Sequence, residues 1–276
     1  NARGDVASKG AAALMHGDMK LFDSHCHLQD ERLAGRLDAV IERACRAGVR
    51  RIVCCGSSES DWRRVAELAD RYDFIHPAFG LHPWYTAGRS KDWLAELERF
   101  LTERPSMTGE IGLDHAVDER NDEDQEAVFA VQMELAARLD RPVTIHCRRA
   151  WDRLPVLLKE MKTRPRFMIH SYSGGAELMG PLAELGAFFS FSGSITLNGN
   201  RKGIRAAAAC PADRLLLETD APDIPPLLPD GRRAEMSEPA SLTLVLKVAA
   251  AARGVSDVDL AAQVWENSCR FCDLET

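Results

Sequence analysis

The sequence lacks any apolar run long enough to cross a membrane. A transmembrane helix needs about 20 consecutive apolar residues, and the 276-residue chain has no such run. Its first stretch, NARGDVASKGAAALMHGDMK, also lacks the basic, then apolar, then small-residue order of a secretory signal. We therefore expect a cytoplasmic protein with no membrane partner. Residues 1–18 are interpreted as a disordered tail or a cloning scar outside the fold.

A surplus of positive charge is also missing. Lysine and arginine number 35 against 42 aspartates and glutamates, which gives a net charge of -7. Proteins that coat nucleic acid over a wide surface use basic patches to displace counterions. The charge disfavours that class, but it is compatible with a pocket that grips one phosphate or one strand end.

A disulfide framework is the third absence. The eight cysteines are irregularly spaced, and Cys269 and Cys272 form a lone C-x-x-C without a second pair. In a chain of this length, such cysteines are more typical of small buried side chains than of disulfides. This favours a reducing cytosol.

Eight short β-rich runs recur along the chain, separated by stretches with helical spacing. The runs cover residues 20–25, 51–56, 74–80, 107–112, 142–147, 166–171, 187–193 and 215–220. The helical stretch 36–48 ends in Gly48, a stop signal, and the next is predicted to begin with Ser60 as its N-cap.

This alternation predicts parallel strands joined by crossover helices. Eight such units in about 250 residues predict an α/β protein with one (β/α)8 TIM barrel domain over residues 19–276. An open doubly wound sheet is the alternative. It more often carries a glycine-rich phosphate turn after the first strand, where FDSHCHLQD (22–30) has no glycine.

Residues able to bind metal collect at the ends of the predicted strands. They are His25, His27, Glu110, His146, His170 and Asp220. In a barrel these strand ends converge on one face, where active sites are built. Side chains two apart in a strand point the same way, so His25 and His27 face one point while Cys26 faces away. Asp23, on the same face, is predicted to fix an imidazole.

The chemistry of this set predicts two divalent ions. Four imidazoles and two carboxylates suit zinc, manganese or iron better than calcium, and zinc, manganese and magnesium are the ions to test. Glu110 has oxygens enough to bridge two ions, which together can lower the pKa of a water and stabilise a leaving oxygen. Asp220 is placed to orient or deprotonate that water, so Asp220 and Glu110 are the predicted catalytic residues.

Four further residues are candidates for substrate contacts. Arg148 can pair with two phosphate oxygens, and His82, in GLHP, can donate a hydrogen bond to the same group. Tyr172 in HSYSGG and Ser192 in SFSG are the other two. The proline-rich segment 221–239 is predicted to be a loop that shapes the substrate site.

Taken in order, the motifs resemble those of TatD-type metal-dependent deoxyribonucleases. They are FDSHCHL, GLHPW, GEIGLD, PVTIHCR, IHSYSG, SFSG, ETDAP, EPASL and ENSCRF, spread over residues 20–274. The resemblance implies a barrel of the amidohydrolase superfamily and a metal-dependent phosphodiesterase that often acts exonucleolytically on DNA. It also implies that the six strand-end residues are the metal ligands. His115, in GLDHAVD, departs from the family, which commonly has an aromatic residue there.

Three functional hypotheses follow. The first is hydrolysis of phosphodiester bonds in nucleic acid, with DNA near a strand end as the substrate and a monomer as the enzyme. The second is hydrolysis of small amides, lactones or esters on the same barrel. Relatives of that kind often carry a carboxylated lysine at the end of strand four, where this chain has Glu110. The third is a non-catalytic binding protein that keeps the fold.

Overall fold

Eight parallel strands form a barrel in a computed structural model that describes residues 19–118 and 120–276. The strands are Leu21–Cys26 (β1), Val49–Cys55 (β2), Ile75–Phe79 (β3), Met107–Asp114 (β4), Val143–Arg148 (β5), Phe167–Ile169 (β6), Ala187–Phe191 (β7) and Leu215–Leu217 (β8). They pair in sequence order from β1 to β8. This order confirms the predicted (β/α)8 barrel and excludes the doubly wound sheet. The predicted tail, residues 1–18, lies outside the described residues.

Helices follow the strands around the outside. They are Glu31–Ala34 (α1), Leu37–Arg46 (α2), Glu59–Arg71 (α3), Trp93–Glu103 (α4), Asp122–Arg138 (α5), Leu154–Glu160 (α6), Ala176–Glu184 (α7), Arg201–Ala209 (α8), Leu242–Arg253 (α9) and Asp257–Cys272 (α10). Within the described ranges, no helix is long and apolar enough to span a membrane.

Local sequence signals set the helix ends. Helix α2 stops just before Gly48, whose φ of 92° lies in the region that favours glycine. Helix α3 begins two residues earlier than predicted, because Ser58 rather than Ser60 is its N-cap. The Asp61 carboxylate accepts a hydrogen bond from the Ser58 backbone N–H and completes a capping box.

Apolar side chains pack in two layers. The larger layer lies between the strands and the helices, and the smaller one fills the barrel interior. The interior residues are Phe22, Val53, Cys55, Ala78, Met107, Met168, Phe188 and Leu216, joined by Cys269, Phe271 and Cys272 from the end of α10. The C-x-x-C cysteines therefore help to close the bottom of the barrel, and all eight cysteines are free.

The seam between β8 and β1 is closed differently from the other strand pairs. Within the described residues, no regular ladder pairs β8 with β1. Instead, the Ser24 hydroxyl donates to the Leu217 carbonyl at 2.9 Å, and the Asp220 N–H donates to the His25 carbonyl at 3.0 Å. Side chains and strand ends therefore join the first and last strands beside the predicted ligands.

Candidate metal centre

The carboxyl ends of the strands open into a cavity of about 1110 Å³. Five of the six predicted ligands line it: His27, Glu110, His146, His170 and Asp220. The sixth, His25, is fully buried and reaches the same cluster from inside the barrel. The structure thus brings together all six residues that the sequence placed at strand ends.

One half of the cluster joins the end of β1 to Glu110 in the middle of β4 and to Asp220 just after β8. The Nε2 atoms of His25 and His27 lie 3.1 Å apart. Each lies 3.3–3.4 Å from Glu110 Oε2 and 3.4 Å from Asp220 Oδ1. Cys26 points the other way, with its Sγ 3.6 Å from the Val53 carbonyl. The predicted alternation along β1 is therefore confirmed.

The other half of the cluster gathers around the second oxygen of Glu110. Oε1 lies 2.9 Å from His146 Nδ1, 2.8 Å from His170 Nε2 and 3.4 Å from His82 Nε2. His82, which the sequence predicts as a substrate contact, thus lies beside the same Glu110 oxygen as two of the predicted ligands. Glu110 therefore turns one oxygen to each set of histidines.

The spacing of the donor atoms fits metal ions. Four ligands held about 2.0–2.1 Å from a shared centre in a tetrahedron lie about 3.3–3.4 Å from one another. The distances from His25 and His27 to each other, to Glu110 and to Asp220 are 3.1–3.4 Å, close to this value. The set of His82, Glu110 and His146 also has donor atoms near enough to share an ion. Imidazole and carboxylate donors suit zinc or manganese.

The outward ring nitrogens of His25 and His27 are both held by Cys55. The Cys55 carbonyl lies 2.8 Å from His27 Nδ1, and its Sγ lies 3.3 Å from His25 Nδ1. Such partners fix which ring nitrogen faces inward. Both histidines therefore present Nε2 to the cluster.

Two carboxylates that the sequence analysis did not single out lie beside the other histidines, and the one at Asp114 is within hydrogen-bond distance. Asp114 Oδ2 lies 3.1 Å from His146 Nε2, and Glu218 Oε1 lies 3.4 Å from His170 Nδ1. A signal was available for Asp114, because it lies four residues after Glu110 in β4, on the same face of the strand. Carboxylate–histidine pairs of this kind orient metal ligands.

Asp23 has a different partner from the one predicted. Its carboxylate accepts hydrogen bonds from the Thr219 backbone N–H at 2.8 Å and from the Thr219 hydroxyl. Asp23 therefore spans the seam and fixes the residue before Asp220 instead of an imidazole. Burial raises the pKa of Asp23 to about 8 despite these bonds.

Burial and neighbouring charges shift the pKa values of the ligands in both directions. Burial lowers the pKa of His25 to about 4, so its imidazole is neutral near pH 7. Burial opposes the charge of Glu110, but His170, His82 and His146 outweigh it and hold the pKa of Glu110 well below its usual value. For Asp114, hydrogen bonds led by that from His146 outweigh burial and lower the pKa to about 2. The same carboxylates act in the opposite direction on His27, His146 and His170, because their hydrogen bonds and charges outweigh burial and raise the pKa of each imidazole. A divalent ion at these residues would have to displace those protons.

Arg148, a predicted substrate contact, lines the cavity and has no carboxylate within hydrogen-bond distance among the described residues. Its side chain is 55% exposed, and its nearest carboxylate contact is Asp114 Oδ2 at 3.8 Å. By contrast, Arg32 in the same wall is held by both Asp30 and Asp223 at 2.8 Å. Arg148 therefore keeps hydrogen-bonding capacity for a ligand.

Tyr172 and Ser192 do not line the cavity. The chain turns at Ser171, which has a φ of 41°, and this turn ends the strand alternation after His170. The Tyr172 ring consequently packs against Trp151, and its hydroxyl donates to the Gly175 carbonyl at 2.8 Å. The Ser192 hydroxyl is buried and shares a 2.8 Å hydrogen bond with that of Ser171.

Two other sequence features can be placed. Loop residues Asp223, Ile224 and Arg233 form part of the cavity wall, as predicted for segment 221–239. The His115 side chain lies outside the cavity lining, 3.7 Å from Asp122, while its backbone N–H donates to the Arg148 carbonyl at 2.8 Å. His115 thus supports the strand end that carries Arg148.

Comparison with known proteins adds independent findings. A family model described as TatD related DNase matches residues 22–273. A Bacillus subtilis protein named as the uncharacterized metal-dependent hydrolase YabD is 32% identical over 91% of this chain and 98% of its own length. The 3'-5' ssDNA/RNA exonuclease TatD of Erwinia tasmaniensis is 34% identical over 92% of this chain and 100% of its own. The crystal structure of YjjV, a TatD homologue from Escherichia coli K12, superposes with a TM-score of 0.87 at 30% identity, covering 95% of this chain and 100% of that one.

Proposed function

The chain belongs to the TatD-related DNase family and is a metal-dependent hydrolase, and from this premise we propose that it removes nucleotides from the ends of single-stranded DNA. The observation that carries the proposal is Glu110, whose two oxygens each face a separate set of imidazoles at the base of an open cavity. The Erwinia tasmaniensis relative, named for ssDNA and RNA, supports a single strand as the substrate.

Two ions are part of the proposal. His25, His27, Asp220 and Glu110 Oε2 would hold one, and Glu110 Oε1 with His146 and His170 would hold the other. Bound there, divalent ions supply a water of lowered pKa and neutralise charge on the phosphate. His82 lies on the same side as Oε1, and its Nδ1 accepts a hydrogen bond from the Trp84 N–H. Its Nε2 therefore carries the ring proton and can donate it to a phosphate oxygen.

Asp220 is the proposed general base. Its side chain reaches the cavity from the end of β8, where its φ of 54° and the bond to the His25 carbonyl fix the backbone. Asp220 accepts a proton from water as the water oxygen forms its bond to phosphorus. The phosphorus–oxygen bond to the departing nucleotide then breaks, and that oxygen takes up a proton.

Arg148 is the proposed ligand of the phosphate oxygens. A guanidinium can donate two parallel hydrogen bonds to a phosphate. Its position beside Asp114, which also holds His146, places it next to the proposed ion set. An arginine already locked by two carboxylates, as Arg32 is, has less capacity for this role.

A cleavage assay with a matched variant tests the proposal. Protein stripped of metal is supplied with zinc, manganese or magnesium and given single-stranded DNA labelled at either end. Small esters, amides and lactones are run beside it. We expect stepwise shortening from one end, and a loss of about 100-fold or more in Asp220→Asn, the scale of general base catalysis.

Asp38→Asn is the control, because Asp38 lies on the surface and pairs with Arg71 and Tyr72. It should match the unsubstituted protein. Equal cleavage by Asp220→Asn, or turnover of small esters without cleavage of DNA, would contradict the proposal.

A further inference from the structure

Two adjacent aromatic side chains stand exposed at the mouth of the cavity. Trp84 is 55% exposed and Tyr85 is 45% exposed, and both line the cavity. The other exposed large hydrophobic residues in the described ranges are three valines, at 156, 255 and 258. Exposed aromatic rings gathered at a site offer contact area to a ligand.

The local structure fixes Trp84 rigidly. Both rings project from the 3-10 helix Pro83–Gly88, where His82 is the N-cap and its Nδ1 accepts a hydrogen bond from the Trp84 N–H at 3.1 Å. The indole meets the His82 ring edge to face, with centroids 4.8 Å apart. Its Nε1 donates to Asp114 Oδ2 at 2.7 Å. A ring held in this way loses little freedom when a ligand stacks on it.

Asp114 connects this ring to the proposed catalytic groups. The same Oδ2 atom receives Trp84 Nε1 at 2.7 Å, lies 3.1 Å from His146 Nε2 and lies 3.8 Å from the Arg148 guanidinium. The centroid of the indole is 6.4 Å from that of the His146 ring. The exposed rings therefore stand within the span of one nucleotide from the predicted position of the phosphate.

We infer that Trp84 and Tyr85 form a stacking platform for the base of a nucleotide whose phosphate lies at the metal centre. The inference rests on the proposed function and adds the residues that hold the base. Every base has a face that can stack on an aromatic ring, so the platform is tolerant of sequence. A base must be free of its neighbours to reach it, which only a single strand or a frayed end allows.

The first test compares DNA ending in a normal nucleotide with DNA ending in an abasic one. Removing a stacked aromatic ring costs about 10- to 100-fold in binding. We expect Trp84→Ala and Tyr85→Ala to raise KM by about this factor for the normal end and by much less for the abasic end. Val258→Ala, which shortens an exposed side chain on α10, should behave like the unsubstituted protein. Equal losses on both ends would overturn the inference, because they would assign the effect to the Asp114 contact alone.

The second test measures binding without turnover. Trp84 is the one exposed tryptophan in the described part of the chain, so a stacked base should quench its fluorescence. We expect an Asp220→Asn protein to be quenched by a single-stranded oligonucleotide, less by one with an abasic end, and far less after Trp84→Phe. If the unsubstituted protein cleaves no DNA, the proposed function fails, and this measurement still decides whether the platform exists. No quenching by the normal oligonucleotide would refute it.

Discussion

Replacing Glu110 by glutamine should affect the two halves of the proposed metal centre differently. The substitution keeps the length of the side chain but turns one of its two ligand oxygens into an amide NH₂, which cannot bind a cation. Oε2 faces His25 and His27, near Asp220 Oδ1, whereas Oε1 faces His146 and His170. One half of the centre must therefore lose a ligand while the other keeps it.

The structure indicates which half is weakened. An amide NH₂ is a donor, and an acceptor carboxylate, Asp220, belongs to the set around Oε2. The amide oxygen should therefore stay with His146 and His170. We expect the protein to bind two ions and Glu110→Gln to keep one. Affinity for the lost ion should fall by at least about 100-fold, the upper end of what removing an outer-shell partner costs.

Metal content after dialysis against buffered zinc or manganese measures this directly, and calorimetry gives the two affinities. Glu110→Asp is a useful companion, because it keeps both oxygens but shortens their reach. Asp38→Asn on the surface is the control. A Glu110→Gln protein that still binds two ions with unchanged affinity would refute the bridging role of Glu110.

Three further predictions concern the support of the site and the stability of the barrel. Asp114→Asn removes the carboxylate that orients His146, so metal affinity, measured by competition with a chelator, should fall about 10- to 100-fold; unchanged affinity would contradict this role. Burial lowers the pKa of His76 to about 4, so its stabilising contribution is present above about pH 6.5 and is lost as the pH falls toward 4. Between pH 7.5 and pH 5, the free energy of unfolding in urea should therefore fall by about 1–2 kcal/mol less for His76→Phe than for the unsubstituted protein. An equal fall in both proteins would contradict this role of His76. Removing metal with a chelator should lower Tm by about 5–10 °C relative to protein with the ion at about 100 times its Kd. Scanning calorimetry measures this shift, and identical melting curves with and without metal would contradict the prediction.

The fold could be predicted because buried parallel strands and amphipathic helices leave different periodicities. Strand β7, AFFSF, is nearly continuous in apolar residues, and α2 repeats them at helical spacing. The pairing of His25 with His27 followed from the alternation of β1 alone. These features depend on local geometry, which a sequence expresses directly.

The parts of the site that the sequence did not reveal depend on where strands end. The alternation that would have placed Tyr172 beside His170 is interrupted at Ser171, and the positive φ responsible is not visible in the sequence. The exposure of Trp84 likewise depends on a short 3-10 helix and on the contact of its indole with Asp114, thirty residues away. Loop geometry and contacts between distant loops determine where the Tyr172 and Trp84 side chains lie, and the periodicity of the sequence does not reveal either.

The seam between β1 and β8 also affects how the protein is made. His25 and His27 leave the ribosome about 190 residues before Asp220. A growing chain that has not yet reached β8 has two neighbouring imidazoles without the carboxylate that completes their set. It also lacks the bonds from Thr219 to Asp23 and from Asp220 to His25 that join the two ends of the sheet. In the proposed centre, this half has its full set of ligands only after the last strand has docked on the first. We therefore expect stable binding of an ion there to follow closure of the barrel.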